Sequence, residues 1–544
     1  MAAATLDDVT SVPGTTHLVD LQGTMDAPHE KHKDIVLVPA PSQDPEDPLN
    51  WTPRRKLLHM FCIFIYCLFV GMASAAVYSV LVPLSIDSGL SVADLNAGTG
   101  YMFLFFGLGC IVFQPLALQY GKRPVFIFSM LATLAIQVWS AYCTTNGQWI
   151  ANKILQGFVG SPIESLCEIS VADLYFTHER AKYMAMYAFS LTSSNILAPI
   201  FAGFIYDGQG YKWVLYWPAI GCGLGAIILF FLMEETNYDR APVIDSTAHE
   251  PHGHADSTAS AEAVGQETKL PVSTDTETEH GREVVSYHRK TYWDKLKLLD
   301  KPRPNLLLTM AARPFLFLSL PVVVYCGFGY GAAIMWSNLM TGTSSLVLSY
   351  PPYSFEADMV GLFSIASLLG VAVGCLCGGP ISDWIALRLA RRNGGILEAE
   401  HRLWIYVYPT VIFPAALILW GVGAAHHVHW FGLAVGSFLF STGVAVTVIT
   451  MVSYCIDTYK DLSSEAMVTI IVIRNSMAFG IGYAITPWVK LGYQDAFIIA
   501  AFMSMAACLV FLVMVVWGKQ MRVKTAHLYR KFVKDGETLG LSHS

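Results

Sequence analysis

The chain has 544 residues, of which 54% are hydrophobic and only 14% are charged. A soluble domain of average composition carries about 25% charged residues, so this balance excludes a disordered chain and argues against a soluble enzyme. The net charge is −7, without the basic excess that nucleic-acid binding requires, so we expect no nucleic-acid partner. The composition therefore indicates an integral membrane protein.

The polar residues 1–56 predict a disordered cytoplasmic N-terminus without a signal peptide. A helix needs about 20 apolar residues to cross the hydrocarbon layer of a membrane. On this criterion the remaining sequence predicts an all-α membrane protein with twelve spans, at 57–83, 96–118, 124–144, 148–174, 182–206, 213–233, 314–339, 358–386, 403–424, 430–455, 464–489 and 494–518.

A hydrophilic stretch, 234–313, separates the sixth and seventh predicted spans. Its middle, 246–280, is rich in Ser, Thr, Glu, Ala and His and lacks an apolar stripe of helical period, which predicts a partly disordered cytoplasmic linker. The linker divides the chain into an N-terminal six-helix bundle, 57–233, and a C-terminal six-helix bundle, 314–518. Residues 519–544 form the predicted cytoplasmic tail.

The basic residues of the short loops predict the orientation of these spans. If the N-terminus is cytoplasmic, the inner loops hold nine Lys or Arg residues, namely Lys122, Arg123, Arg180, Lys182, Arg388, Arg391, Arg392, Arg402 and Lys460. The outer loops then hold only Lys212 and Lys490. Because basic loops stay in the cytoplasm, both termini and the linker are predicted to be cytoplasmic.

The two predicted bundles repeat each other. A shift of 265 residues places Gly109 on Gly374 and Pro115 on Pro380, at the same point of the second span of each half. After the fourth span of each half comes Asp-x-Tyr, as Asp173-Leu174-Tyr175 and Asp457-Thr458-Tyr459. Together with the equal helix counts, these matches predict two pseudo-symmetric bundles, a pattern typical of secondary transporters.

Charged residues inside predicted spans are candidate functional groups, because they are costly to bury in a membrane. The fourth span contains Lys153, Glu164 and Glu168. On a continuous helix they share an arc of about 80° with Gly157 and Gly160. Two ionised carboxylates one turn apart repel each other, so we expect this face to bind a proton or a cation. In the alternative interpretation, one of the acids is a structural anchor paired with Arg474 of the eleventh span.

Aromatic and amide side chains interrupt other predicted spans and can face a substrate, because aromatic faces bind organic cations and planar molecules. The candidate substrate cavity comprises Tyr325, Tyr330 and Asn338 of the seventh span, Asn195 of the fifth and Asn475 of the eleventh. Trp336 is instead interpreted as a residue of the aromatic belt at the membrane interface.

The sequence lacks the signatures of an enzyme or an ATP-driven pump. It has no phosphate-binding Gly-x4-Gly-Lys-Ser/Thr loop, no nucleophile elbow and no paired metal ligands. We therefore expect no enzymatic activity, no cofactor and no metal, and we expect the energy for transport to come from a gradient.

Several motifs resemble the fungal major facilitator superfamily, in its twelve-span drug:proton antiporter branch, which also contains polyamine and organic-cation importers. The matching segments are Asp47-Pro-Leu-Asn-Trp51, Lys153-x-x-Gln156-Gly157-Phe158, Asp173-Leu-Tyr-Phe-Thr-His-Glu-Arg180, Glu234-Glu-Thr-Asn-Tyr-Asp-Arg240 and Tyr454-x-x-Asp457-x-Tyr459. The resemblance covers about 47–240 and 290–520. The family usually carries Gly-x-x-x-Asp-x-x-Gly-Arg between spans two and three. Here Leu118 replaces the acid, whereas the second copy keeps Asp383.

The resemblance implies gating loops at the inner ends of the spans, which would contain Lys122, Arg123, Asp173, Arg180, Asp383, Arg388 and Asp457. It also implies a proton-coupled secondary transporter that works by alternating access. The first expectation is export of drugs, toxins or secondary metabolites. Uptake of polyamines or other organic cations is the alternative, and a non-transporting nutrient sensor is the remote one.

The expected location is the plasma membrane, with the vacuolar membrane as the alternative. A monomer is expected, with protons, a small-molecule substrate and the lipid bilayer as its partners.

Overall fold

The computed structural model of the chain describes residues 12–17, 29–30, 33–36, 44–238, 291–297, 306–393 and 396–538. Most of the predicted linker, including 246–280, lies outside the described residues. Within them, eleven helices are long and apolar enough to cross a membrane.

The described residues of the first half form eight helices. They are α1 (Pro53–Ala75), α2 (Leu81–Ser88), α3 (Val92–Tyr120), α4 (Lys122–Ser140), α5 (Asn146–Gly160), α6 (Pro162–Leu174), α7 (Thr177–Gln209) and α8 (Tyr211–Leu232). A short 3-10 helix, Pro48–Asn50, precedes α1. Asp47 caps it, because the Asp47 carboxylate accepts a hydrogen bond of 3.1 Å from the backbone N–H of Leu49.

The second half begins with two short helices, α9 (Tyr292–Lys295) and α10 (Leu307–Leu316), followed by the 3-10 turn Phe317–Ser319. The long helices are α11 (Pro321–Leu348), α12 (Ala357–Arg392), α13 (Val407–Ala425), α14 (Trp430–Thr458), α15 (Ser463–Val489) and α16 (Tyr493–Thr538). The 3-10 segments Ala399–Tyr406 and Lys460–Leu462 precede α13 and α15.

The fourth predicted span consists of two helices in place of one, which explains why eleven continuous helices correspond to twelve predicted crossings. Helix α5 ends at Gly160 and α6 begins at Pro162. Proline has no N–H to donate to the preceding turn, so the hydrogen-bond ladder is interrupted at Ser161. The predicted continuous face over 148–174 is therefore divided at this point.

Several predicted boundaries are wrong by more than a turn, and three of them change the description of the fold. The first span ends at Ala75, and the rest of 57–83 leads into the separate helix α2. The seventh span begins at Pro321 and not at 314, because α10 and a 3-10 turn occupy the preceding residues. The last helix continues past 518 to Thr538, so much of the predicted tail is helical.

Part of the predicted disordered N-terminus is ordered. Strand β1 (Thr15–His17) pairs antiparallel with β4 (Ile396–Glu398), with Thr15 opposite Glu398. A second pair joins β2 (His29–Glu30) to β3 (Lys33–Val36). The fully buried Arg522 of α16 bonds to Glu400 and to the carbonyl oxygen of Pro13. The N- and C-terminal segments therefore lie at one end of the bundle, which we name the termini side; the other end is the far side.

The internal repeat is confirmed by equivalent helix contacts. A Cβ atom added at Gly109 of α3 would lie 2.6 Å from the carbonyl oxygen of Phe158 on α5. A Cβ atom added at Gly374 of α12 would lie 2.8 Å from the carbonyl oxygen of Thr442 on α14. In both halves, the second spanning helix thus packs on the fourth at a glycine, where only a missing side chain allows so close an approach.

The two halves meet along α3 with α15 and along α7 with α12. On the far side this contact is made by glycines: a Cβ atom at Gly482 would lie 2.6 Å from the Cα atom of Gly100. At Gly203, a Cβ atom would overlap the carbonyl oxygen of Ala357. Backbone therefore meets backbone, and the two halves are tightly packed on the far side.

Candidate functional site

An ion pair between the two halves lies at the centre of the candidate site. Glu164 in the first turn of α6 pairs with Arg474 in the middle of α15. The amide of Asn475 donates a second hydrogen bond of 2.8 Å to the same carboxylate oxygen. The side chains of Glu164 and Arg474 are only 12% and 8% exposed. The pair is therefore largely shielded from solvent, and Arg474 compensates the charge of Glu164.

Tyr330 of α11 extends this cluster. Its ring lies under the guanidinium of Arg474, with 4.7 Å between the Arg474 Cζ atom and the ring centroid. A cation above an aromatic face is attracted by the quadrupole of the ring, and more strongly where water is excluded. Three helices, α6, α11 and α15, thus meet through Glu164, Tyr330 and Arg474.

Glu168 has a different environment, although it lies only one turn from Glu164. It lines a small cavity between the halves, together with Ser165, Met184, Ser463 and Met467. This cavity lies toward the termini side, where α6 ends and α15 begins. No described residue forms an ion pair or a hydrogen bond with the Glu168 carboxylate. Of the two acids, Glu168 is therefore the one that lines the cavity, and Arg474 acts on it only through its charge, without direct contact.

Lys153 lies apart from both acids, contrary to the predicted shared face. Its ammonium group donates a 2.7 Å hydrogen bond to Gln156 and lies 4.6 Å from the ring centroid of Trp149. The side chain is 1% exposed and has no acidic partner among the described residues. Lys153 is therefore part of the packing within the first half.

The predicted glycine face of the fourth span approaches a neighbouring helix. A Cβ atom at Gly157 would overlap the carbonyl oxygen of Met102, and one at Gly160 would lie 2.8 Å from the ring of Phe106. Both contacted residues belong to α3. The glycines therefore serve helix packing here, and the open cavity begins beyond them, at Ser165 and Glu168.

The five predicted cavity residues do not line one cavity. Tyr330 and Asn475 lie in the central cluster. Tyr325 packs in the core of the second half, with its ring centroid 6.3 Å from that of Tyr454. Asn195 accepts a 3.2 Å hydrogen bond from Ser74, and Asn338 lines a separate cavity on the far side.

The interpretation of Trp336 as an interfacial belt residue is wrong. Its side chain is 1% exposed, and its ring packs edge to face on Trp488 at 6.0 Å. Trp336 is thus a core residue of the second half.

At the termini side of the first half, Lys122 forms an ion pair with Asp173. The carboxylate of Glu235, just after α8, accepts 3.0 Å hydrogen bonds from the backbone N–H groups of Lys122 and Arg123. These two N–H groups begin α4, and an acid at a helix N-terminus is favourable. The guanidinium of Arg123 donates to the carbonyl oxygens of Phe230 and Leu296.

The second half has an equivalent cluster centred on Arg402. Its guanidinium pairs with Asp457 and, at 2.5 Å, with Asp383. Asp457 and Asp173 lie in the last turns of equivalent helices. Lys122 begins α4, and Arg402 lies in the 3-10 segment that precedes α13, the helix equivalent to α4. Leu118 occupies the position that corresponds to Asp383. Among the described residues, Lys122 therefore has one acidic partner where Arg402 has two.

Two other predicted gating residues do not join these clusters. Arg388 lies over the ring of Trp384, with 5.1 Å between its Cζ atom and the ring centroid. The side chain of Arg180 lies outside the described part of the chain.

Sequence analysis missed several paired charges near the termini side. Arg402 was counted only as a loop charge, and Glu235 and Glu465 were not selected as candidates. Arg313 of α10 is 6% exposed and donates a 2.9 Å hydrogen bond to Glu465 of α15. The position of these residues in the sequence could have identified them, since each lies at the end of an apolar run.

A further network at the termini side surrounds Glu46. Arg55 contacts Glu46 at 2.9 Å and also pairs with Glu234, while Lys295 of α9 lies 3.6 Å from Glu46. Burial raises the pKa of Glu46, but Arg55 and Lys295 outweigh burial, so the pKa lies below its ordinary value. The described residues contain no group of three or more His, Cys, Asp or Glu side chains placed to hold a metal.

Comparison with known proteins gives the family. Residues 60–487 match the Major Facilitator Superfamily. The chain is 28% identical over 535 residues to an uncharacterized MFS-type transporter of Schizosaccharomyces pombe, a match that covers 93% of the chain and 91% of that protein. It is 26% identical over 547 residues to Protein HOL1 of Saccharomyces cerevisiae, covering 92% of the chain and 93% of that protein.

Solved structures show the same fold. A bacterial homolog of the human lysosomal transporter Spinster aligns with a TM-score of 0.51 at 12% identity, covering 88% of the chain and 99% of that protein. The human organic anion transporter MFSD10 aligns with a TM-score of 0.50 at 15% identity, covering 85% of the chain and 100% of that protein. With the repeated six-helix halves and the family match over most of its length, this chain belongs to the major facilitator superfamily and is a multi-pass membrane transporter.

Proposed function

We propose that this transporter exports an organic cation, such as a cationic drug or secondary metabolite, in exchange for protons. The observation that carries the proposal is the carboxylate of Glu168, which lines a cavity between the two halves and forms no hydrogen bond or ion pair among the described residues. The neighbouring acid, Glu164, already has its charge compensated by Arg474.

The charge of the cavity supports this substrate class. A carboxylate in a poorly solvated site is costly unless a proton or a cation neutralises it. Ser165, Ser463 and Met467 contribute polar or polarisable atoms to the cavity but no charge. A substrate with one ammonium group would therefore complete the site at Glu168, whereas an anionic substrate would be repelled.

Exchange of the cation for a proton follows if both bind to the same carboxylate. Protonation of Glu168 neutralises the charge that attracts the cation, so a proton and the cation exclude each other. A transporter that releases the cation on one side and returns with a proton moves the two in opposite directions. The inward proton gradient of a fungal plasma membrane would then drive export, by the alternating access typical of this fold.

The two charged clusters at the termini side support movement of each half as a unit. Lys122 pairs with Asp173 inside the first half, and Arg402 pairs with Asp383 and Asp457 inside the second. We infer that these clusters hold the helix ends of each half together while the halves move relative to each other. The basic loops make the termini side cytoplasmic in this proposal, so the Glu168 cavity faces the cytoplasm.

Uptake of polyamines or other organic cations is the second candidate. It is favoured by Ala198-Pro199 of α7, which matches only the core of the fifth-span motif of antiporters and lacks its leading glycine. The same Glu168 site would then take its cation from outside, with the negative membrane potential as the driving force.

A flux measurement on purified protein in proteoliposomes tests the proposal. With an acidic lumen, wild-type protein should accumulate a fluorescent organic cation and radiolabelled spermidine, and collapse of the pH gradient should stop accumulation. Glu168→Gln should abolish gradient-driven accumulation. The exposed carboxylate of Glu356, at the start of α12, provides the matched control, and Glu356→Gln should behave like wild type.

The result that overturns the proposal is cation flux that neither depends on the pH gradient nor changes in Glu168→Gln. Dye efflux measured beside spermidine uptake, in cells with and without the chain, separates export from uptake. A protein that is correctly localised and moves neither compound would favour the sensor interpretation.

A further inference from the structure

On the far side, the end of α7 packs against the first turns of α12, with backbone meeting backbone. A Cβ atom at Gly203 would overlap the carbonyl oxygen of Ala357, and one at Gly361 would lie 2.6 Å from the carbonyl oxygen of Pro199. Asp207 follows Gly203 by one helical turn. Because residues four apart lie on one side of a helix, Asp207 belongs to the face of α7 that meets the second half.

Asp207 forms a hydrogen bond across this contact. Its carboxylate accepts a bond of 3.0 Å from the backbone N–H of Asp358, the second residue of α12. The first N–H groups of a helix have no acceptor within the helix, and the side chain of the preceding N-cap residue usually provides one. The N-cap residue of α12 is Glu356, whose side chain forms no such bond. The first half therefore supplies a capping acceptor to a helix of the second half.

The end of α7 presents Asp207 from a fixed position. The hydroxyl of the preceding residue, Tyr206, donates a 3.0 Å hydrogen bond to Asp87 of α2, which also belongs to the first half. A negative charge at a helix N-terminus is favourable in itself. The carboxylate of Asp358 lies in the same turn and opposes that charge, so we expect the hydrogen bond to contribute more than the charge.

We propose that Asp207 is a latch that holds the far side closed by capping α12 from the opposite half. The inference rests on the proposed function only in that the two halves move relative to each other, and it does not depend on the substrate or the proton. When the halves separate on the far side, the N–H of Asp358 loses this acceptor. Opening therefore costs the contribution of one helix cap, which lowers the population of the state open on the far side by about three- to tenfold.

Labelling of a buried thiol measures how often the far side opens. Ala478 of α15 lies between the two halves on the far side and is 1% exposed. A thiol introduced by Ala478→Cys should thus react with a membrane-impermeant methanethiosulfonate reagent, added outside intact cells, only when the halves separate. The chain without Ala478→Cys gives the background from native cysteines. Adding Asp207→Ala should speed labelling about three- to tenfold. Asp207→Asn keeps an acceptor oxygen and should speed labelling less.

A helix cap within one half provides the matched control. Ser91 caps α3, because its hydroxyl accepts a 3.1 Å hydrogen bond from the backbone N–H of Asp94, and both residues belong to the first half. Ser91→Ala and Asp207→Ala should both lower the melting temperature of the purified protein in detergent. Only Asp207→Ala should speed labelling, because only that cap joins the two halves.

A rescue variant separates the latch from a general loosening of α12. The backbone of Glu356 is extended, with φ −69° and ψ 167°, which suits an N-cap residue. Glu356→Ser should therefore give α12 a cap from its own half. Combined with Asp207→Ala, Glu356→Ser should restore the melting temperature while labelling stays fast, because the new cap is present whether the far side is open or closed.

Unchanged labelling in folded Asp207→Ala and Asp207→Asn proteins overturns the proposal. Equal acceleration by Ser91→Ala overturns it as well, and so does a return to slow labelling when Glu356→Ser is added. Both results would mean that helix stability, and not the contact between the halves, controls access. Failure of the proposed function is distinct, because it appears as cation flux unaffected by Glu168→Gln, a substitution toward the termini side.

Discussion

The carboxylate of Glu164 on α6 contacts the guanidinium of Arg474 on α15, so an ion pair joins the two halves near the middle of the transporter. The next acid along α6, Glu168, has no such partner among the described residues. One helical turn thus separates an acid that connects the halves from an acid that is open to the cavity. This difference makes the contributions of the two acids separable by mutation.

Arg474→Met should destabilise the protein more than the double variant Glu164→Gln/Arg474→Met. The single change leaves Glu164 uncompensated in a shielded site, which costs on the order of 3 kcal/mol, whereas the double change removes both charges. Thermal unfolding in detergent, followed by intrinsic fluorescence, gives the order of stability. Arg388→Met, which removes a cation lying over Trp384, is the control and should change little. Equal losses in the single and double variants would show that an uncompensated Glu164 carboxylate carries no cost, which contradicts this prediction.

The Lys122 cluster should be more sensitive to loss of an acid than the Arg402 cluster. Asp173→Asn leaves Lys122 without its acidic partner, whereas Asp383→Asn leaves Arg402 paired with Asp457. Transport should therefore fall severalfold more in Asp173→Asn than in Asp383→Asn, when normalised to the amount of protein at the membrane.

Leu118→Asp provides a rescue test of the same relationship. Position 118 corresponds to Asp383, so an acid there should supply Lys122 with a second partner and restore part of the activity of Asp173→Asn. If Leu118→Asp gives no rescue, or if Asp383→Asn is the more damaging change, the proposed equivalence of the two clusters is wrong.

The Glu46 network should give a pH-dependent contribution to stability. The pKa of Glu46 lies below its ordinary value in the folded protein, so the network stabilises above the unfolded pKa and loses this contribution as pH falls through the folded pKa. At pH 7, Glu46→Gln should lower the free energy of unfolding by about 1 kcal/mol. Below about pH 4 the difference from wild type should shrink toward zero.

Melting curves of wild type and Glu46→Gln at several pH values measure this effect. The difference in stability between the two proteins at each pH removes the contribution of the other acids, which both proteins share. Glu356→Gln removes an exposed carboxylate at the other side of the molecule and should show no such pH dependence. A destabilisation by Glu46→Gln that grows on acidification has the wrong sign and contradicts the assignment.

Much of the fold is predictable from sequence because long apolar runs and repeated glycines are local signals. The break at Pro162 was not predicted, although a proline interior to a span interrupts the hydrogen-bond ladder whatever surrounds it. The role of the glycine face of the fourth span was not predictable. Gly157 can admit either a substrate or a neighbouring backbone, and only the packing of α3 against α5 decides between them.

The sequence pointed to the charged residues of the candidate site, but it did not decide which acid pairs with Arg474. Glu164, Glu168 and Arg474 follow from the cost of charge inside an apolar span. Which acid meets Arg474 depends on the register between α6 and α15, helices about 300 residues apart in sequence that belong to different halves. Arg402 was missed for the same reason. Its partners Asp383 and Asp457 lie on two other helices.

Gly203→Val should loosen the far side of the transporter. A side chain at Gly203 would overlap the carbonyl oxygen of Ala357, so α7 and α12 must move apart where the halves are now tightly packed. We expect lower transport and faster labelling, by a membrane-impermeant thiol reagent added outside intact cells, of a thiol introduced by Ala478→Cys between the two halves on the far side. Gly208→Val lies on the same helix, but a Cβ atom there has no neighbouring heavy atom within 4 Å, so this control should label and transport like the parent. Unchanged labelling in a folded, correctly localised Gly203→Val protein would show that the α7–α12 contact does not control access from the far side.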